Sequence, residues 1–311
     1  MITYYKGNER TGIETLEEAV DGCWVNVINP SEKEINIVKE LGIPSDYITY
    51  SLDQDERPRT EKEDDGTTLM LIKIPYDDPK NTDVPYSTIP LGIISTDHYL
   101  ITVCKSNNEI LKEIYKSKYK GFSTSKRIRF ILRILLLAAT KYLTYLRVIN
   151  RQVELVEDRL EASMRNKEVL ELLKYQKSLV FFETALKSNE LMIERLQKTP
   201  LFHQYEEDED LLEDVLTENQ QAIEMVAIAE NILSSTMDAF ASIISNNLNV
   251  VMKFLASVTI VLSIPTIVTS YFGMNVPIPF SNAPWAYLAI IGLFVVLSIG
   301  VVLIFLRKNW F

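Results

Sequence analysis

The sequence predicts an α+β membrane protein in which a cytosolic α/β domain is joined by a long helical stalk to two C-terminal transmembrane helices. Three observations carry this. Apolar, β-branched runs at Trp24–Ile28, Thr67–Ile74, Ile89–Thr96 and Tyr99–Cys104 read as strands divided by helix and turn segments. No proline falls between Asp208 and Pro265, which leaves room for one helix of more than 50 residues. Finally, Phe254 to Leu306 contains no Asp, Glu, Lys or Arg, far more than the roughly 20 apolar residues that one spanning helix needs.

The α/β domain is placed at residues 1–122 with a mixed sheet. Ser31-Glu32-Lys33-Glu34 reads as a capping box before a helix carrying Ile35, Ile37, Val38 and Leu41, which Gly42 and Pro44 end. Asp77 to Asn81 and Thr96-Asp97 read as turns between strands. Residues 123–207 form a helical region, with helices at Lys126–Lys167 and Lys167–Gln197. Phe130 to Leu146 is apolar enough to suggest a third span. Arg133, Lys141 and Arg147 would each cost about 2.5 to 3.5 kcal/mol at mid-bilayer, so the segment reads as a packed amphipathic helix instead.

The stalk is placed at 208–272 and continues into the first transmembrane helix; at about 1.5 Å per residue its rod would reach roughly 80 Å. Gly273, Pro277, Pro279, Asn282 and Pro284 break the helix over a loop at 273–285, and Trp285 and Tyr287 supply interfacial rings. The second transmembrane helix is placed at 286–306 and a basic tail at 307–311. Lys253 precedes the first span and Arg307 and Lys308 follow the second, so both termini are expected in the cytosol and the loop outside the cell membrane. No apolar segment before residue 20 resembles a cleavable signal.

All 42 acidic residues lie before Lys253, against 29 basic ones, a formal charge of −13 on that part. Such a balance favours cations as partners and argues against nucleic acid, although solubility is its commoner meaning. Cys23 and Cys104 sit in apolar strand-like runs and read as buried thiols, while His98 and His203 are too few for a His-built zinc site. No phosphate-cradling glycine loop or nucleophile elbow appears, so neither an enzyme nor an organic cofactor is expected.

Within the first span Thr259, Ser263, Thr266 and Ser270 recur at helical spacing, and Ala256, Met252 and Asn249 extend the stripe backward. A small, polar stripe in a membrane either lets helices approach or lines a wet path. Pro265 removes one backbone donor inside this helix. Glu206 to Asp210, then Glu213-Asp214, form the densest acidic run; it suits either a solvated helix start or an oxygen-only divalent-cation sensor that includes Asp210 and Asp214.

Gly273-Met274-Asn275, placed between a charge-free span and a second span with a basic tail, makes the chain similar over its whole length to the CorA family of divalent-cation channels. Arg57-Pro58-Arg59 resembles that family's arginine-proline element. The family's turn reads Tyr-Gly-Met-Asn, whereas Phe272 intervenes here, and the acidic Met-Pro-Glu segment of many members has no counterpart between Val276 and Tyr287.

The resemblance implies a ring-shaped homo-oligomer, a pentamer, in the lipid bilayer. It implies passive Mg²⁺ uptake through a pore lined by Asn249, Met252, Leu255 and Thr266, with Gly273, Met274 and Asn275 as the selectivity filter. It further implies acidic stalk positions at Asp214 and Asp238 and a regulatory Mg²⁺ between subunits. The partner position for Asp214 is Tyr50 here, with Asp53 the nearby substitute. Two alternatives stay open: a Zn²⁺, Co²⁺ or Ni²⁺ transporter of the same family, and a membrane-anchored scaffold that moves no ion.

Overall fold

The computed structural model describes all residues except 9–11, 78–82, 117–122, 164–165, 200–201, 203–204, 275–284, 309 and 311. The chain divides into two compact units, Met1–Ser234 and Ser235–Phe311.

The first unit is built on a seven-stranded mixed sheet. Its strands are β1 (Ile2–Asn8), β2 (Gly12–Leu16), β3 (Trp24–Ile28), β4 (Arg59–Lys62), β5 (Thr68–Asp77), β6 (Tyr86–Ser95) and β7 (Leu100–Cys104), in the order β2-β1-β3-β7-β6-β5-β4. Only β3 and β7 pair in parallel, with Trp24 opposite Leu100. Helices cover both faces, which is why the central strands are continuous apolar runs rather than alternating ones.

On one face, α1 (Glu32–Glu40) and α2 (Ser45–Leu52) bring Val38, Tyr47 and Ile48 onto Val25, Leu71 and Val103. On the other, α3 (Glu109–Lys116), α4 (Arg127–Ser163), α5 (Asn166–Gln197) and the first turns of α6 (Glu206–Phe272) pack onto Trp24, Ile72, Leu91 and Cys104. Phe130, Ile131, Ile134, Leu135, Ala138 and Tyr142 are buried there, so the apolar stretch of α4 serves the soluble core. The capping box forms: the Ser31 N–H donates to Glu34 at 2.8 Å, and the Glu34 N–H donates to the Ser31 hydroxyl. Gly42 then adopts φ +85°, the left-handed conformation that stops the helix. Both cysteines are buried and free.

β4 pairs with β5 only from Thr68 to Leu71, so among the described residues no strand lies on that side of β5 beyond Leu71. The side-chain amide of Asn189 on α5 occupies the gap, accepting from the Lys73 N–H at 3.0 Å and donating to the Lys73 carbonyl at 2.8 Å. The Tyr142 hydroxyl donates to the same carbonyl at 3.0 Å. These bonds satisfy backbone groups that would otherwise be orphaned in a buried edge.

Strands β1, β2 and β4 and helices α2 and α3 were not expected from the sequence. The turn expected at 78–81 lies outside the described residues.

Candidate functional site

In the second unit α6 runs to Phe272 and α7 spans Ala286–Arg307, and both are long and apolar enough to cross a membrane. On α6, Ser257 is fully buried and Val268 is 9 % exposed, with Val261, Ile264 and Pro265 half-buried between them. These five share one helical face by their spacing. Each hydroxyl of the predicted stripe stands two residues beyond a member of that face: Thr259 after Ser257, Ser263 after Val261, Thr266 after Ile264 and Ser270 after Val268. Two residues turn a helix by roughly 200°. The stripe therefore lies on the side opposite the covered face; Thr259, Thr266 and Ser270 are exposed and Ser263 is half-buried. Asn249, Met252 and Leu255 are exposed as well.

Three of these hydroxyls are already committed as donors. Thr259 donates to the Leu255 carbonyl at 2.8 Å, Ser263 to Thr259 at 2.7 Å and Thr266 to Leu262 at 3.4 Å. Their oxygen lone pairs remain as acceptors. Thr269, which the sequence reading passed over, donates to the carbonyls of both Pro265 and Thr266. Its signal was available, since it stands four residues after Pro265 and four before Gly273.

Gly273 closes α6 by donating its N–H to the Thr269 carbonyl at 2.9 Å, and the Met274 N–H reaches the Tyr271 carbonyl at 3.4 Å. Gly273 does not use a left-handed backbone; a Cβ there would stand 3.1 Å from the Thr269 carbonyl oxygen. Asn275 lies outside the described residues, as does His203.

The acidic run divides. Asp208 turns inward, 5 % exposed, and Arg129 binds it at 2.7 Å and Glu207 at 2.5 Å. Asp210 and Asp214 face outward, as does Asp238 further along α6 in the second unit. Nothing local in the sequence foretells the Arg129 contact, because 79 positions separate it from Asp208.

Tyr50 is half-buried under Arg59, whose guanidinium carbon lies 4.6 Å from the ring centroid. Arg59 also binds Glu56 and Glu61. Asp53 ends α2, exposed, and accepts from the Asp55 N–H at 3.0 Å. The Lys73 ammonium beside it donates to the Gln54 carbonyl, and burial pushes its pKa down. Among the described residues of this one chain, no three His, Cys, Asp or Glu side chains converge to hold a metal, and Asp53, Asp210 and Asp214 are not brought together.

An α/β unit followed by two helices, each with a stretch apolar and long enough to cross a bilayer, is the layout of a membrane protein with a large α/β body. Residues 20–308 match the CorA-like Mg²⁺ transporter protein family, and the chain belongs to it. That family is one of transporters, not enzymes. The chain is 28 % identical to the cobalt/magnesium transport protein CorA of Methanocaldococcus jannaschii, over 92 % of this chain and 90 % of that one. To the cobalt/magnesium transport protein CorA of Thermotoga maritima it is 21 % identical, over 98 % of this chain and 88 % of that one. The complete structure of the CorA magnesium transporter from M. jannaschii shares the fold, with a TM-score of 0.86 at 24 % identity, covering 100 % of this chain and 99 % of that one.

Proposed function

We propose that this chain assembles as a ring, a pentamer as the family resemblance implies, and conducts Mg²⁺ passively through a pore lined by α6. The observation that carries the proposal is the placement of Thr259, Ser263, Thr266 and Ser270 opposite the covered face of α6. A stripe used for packing within the chain would coincide with the buried side; this one is left to face an axis shared with other copies.

The chemistry fits a hydrated ion. Mg²⁺ sheds its waters reluctantly, so a pore for it has to accept hydrogen bonds from those waters rather than replace them. Hydroxyls whose protons are spent on helix carbonyls present lone pairs, which suits that role. Gly273, Met274 and Asn275 would form the filter at the end of the span, where an amide ring holds an ion less tightly than a carboxylate ring and so permits release. Met252 and Leu255 would narrow the path and gate it by dewetting.

Cytosolic Mg²⁺ would close the channel by bridging acidic surfaces of neighbouring subunits, with Asp214 and Asp210 from one, Asp53 from the other and Asp238 along the stalk. When Mg²⁺ falls, the repelling carboxylates would splay and open it. The basic residues flanking the spans support a multi-pass cell-membrane protein with both termini in the cytoplasm. The acidic soluble part argues for divalent cations and against nucleic acid as partners, and no organic cofactor is needed.

Cobalt stands in the names of two relatives, and the loop carries no carboxylate, so transition-metal transport is the second reading. Mg²⁺ uptake into liposomes holding the purified protein, with Co²⁺ and Zn²⁺ as competitors and Asn275→Ala alongside, decides. Uptake abolished by the substitution supports the filter. Flux of Zn²⁺ or Co²⁺ without Mg²⁺ favours the second reading, and no flux from intact oligomers leaves the scaffold.

A further inference from the structure

We propose that the cavity between the outer strands of the sheet and the first turn of α4 binds a nucleoside phosphate. The cavity has a volume of about 1010 Å³, enough for a small-molecule ligand, and all its lining residues belong to the first unit.

Strand register decides its chemistry. Lys62 stands opposite Thr68 and Thr68 opposite Ser95, so these three side chains form one row across β4, β5 and β6. The next row on the same face is Thr60, Met70 and Ile93, and the one after it is apolar at Ile72 and Leu91. A face that otherwise feeds the core therefore ends, at the cavity, in an ammonium and two hydroxyls. Lys62 is exposed, and among the described residues no carboxylate pairs with it.

The first turn of α4 lines the same space. The Phe130 N–H bonds the Lys126 carbonyl, so the N–H groups of Arg127, Ile128 and Arg129 have no carbonyl one turn back within the helix. The positive end of a 37-residue helix thus adds to the Lys62 charge. Most of the carboxylates around the cavity are engaged elsewhere: Arg129 holds Glu207 and Asp208, and Arg59 holds Glu61. Asp97 and Glu206 are exposed.

The remaining wall is of a different kind. Met70, Ile131, Leu196 and Phe202 are buried and give the cavity an apolar part. Thr60, beside Met70 and one row from Lys62, offers a hydroxyl between the two parts. A bare phosphate would leave the apolar part unused, and an apolar molecule would leave the lysine and the helix end unanswered. A nucleoside phosphate places a flat base on the one, a sugar at Thr60 and its anion on the other. It binds here as a ligand and takes no part in ion passage.

The test is equilibrium binding of radiolabelled ATP to the purified full-length protein in EDTA, which keeps Mg²⁺ from tethering the nucleotide to acidic surfaces. Tripolyphosphate and adenosine are the competitors, and Lys62→Glu, Thr60→Trp and Lys33→Glu the variants. Saturable binding is expected, with each competitor at least about tenfold weaker than ATP. Lys62→Glu should weaken binding about tenfold or more, the factor carried by one charge-assisted hydrogen bond. Thr60→Trp, which fills the cavity from an edge strand, should abolish it, and Lys33→Glu, a like charge change on α1, should leave it intact. Either cavity variant suffices where the other does not fold. No saturable binding by folded wild type at millimolar ATP overturns the proposal, as does tripolyphosphate that competes as well as ATP. Folded cavity variants that bind like wild type overturn it too, and so does Lys33→Glu if it weakens binding as much as Lys62→Glu. Ion flux is not read, so each of these results stands apart from the transport reading.

Discussion

Arg129 on α4 grips the inward-turned carboxylate of Asp208 at 2.7 Å, fastening the start of α6 to the helix that lies under the sheet. Arg129 also holds Glu207, so the two sides of the contact are unequal. Arg129→Ala strands a carboxylate that is 5 % exposed, whereas Asp208→Ala leaves the guanidinium its second partner. The arginine variant should lose about 2 to 4 kcal/mol and the aspartate variant roughly half that. Thermal melts of the full-length protein, with hydrogen exchange over the first turns of α6, check the order; equal losses would contradict it.

Asn189 stands in for a missing strand at Lys73. Asn189→Leu keeps the branching and heavy-atom count but strips both bonds, and about 2 to 4 kcal/mol should be lost. Tyr142→Phe removes only the second donor to the Lys73 carbonyl, so its cost should be nearer 1 kcal/mol. Denaturation midpoints of the two variants are the readout.

Glu109 is paired with Lys141 and accepts from the Tyr145 hydroxyl at 3.3 Å. The Lys141 bond, more than its charge, holds the Glu109 pKa below the ordinary carboxylate value of 4.5. A carboxylate with a lowered folded-state pKa contributes stability above its unfolded value and loses it as pH falls through the folded one. The melting temperature of Glu109→Gln should therefore lie below that of wild type at pH 7. The gap should close as pH drops below about 4.5; a gap constant between pH 7 and pH 3 would refute the pairing.

The two sides of α6 predict opposite behaviour. Thr259→Val and Thr266→Val remove acceptors from the proposed lining and should each cut Mg²⁺ flux several-fold, on the order of one hydrogen bond per subunit. Ser257→Ala lies on the buried side and should leave the flux as it is. Tracer uptake per reconstituted oligomer separates the cases, and a reversed pattern would make the stripe a packing surface.

Local chemistry was readable without the fold. The capping box at Ser31, the stop at Gly42 and the strand at Trp24–Ile28 follow from groups a few residues apart. Helix α3 and strands β1, β2 and β4 were not, because short segments of mixed polarity take their state from what they pair with. At the site, the spacing of the stripe was visible in the sequence, but the direction in which it faces was not.

The sequence by itself determined that this protein has two helices fit for a bilayer, because charge-free length is a property of each segment and its solvent. Only the tertiary structure decided that Asn189 closes the sheet edge at Lys73, that Arg129 turns Asp208 inward while Asp214 faces out, and that Ser257 is covered while Thr259 is not. Each of those outcomes depends on which distant surface claims a side chain, and packing settles that competition between residues that share no local signal.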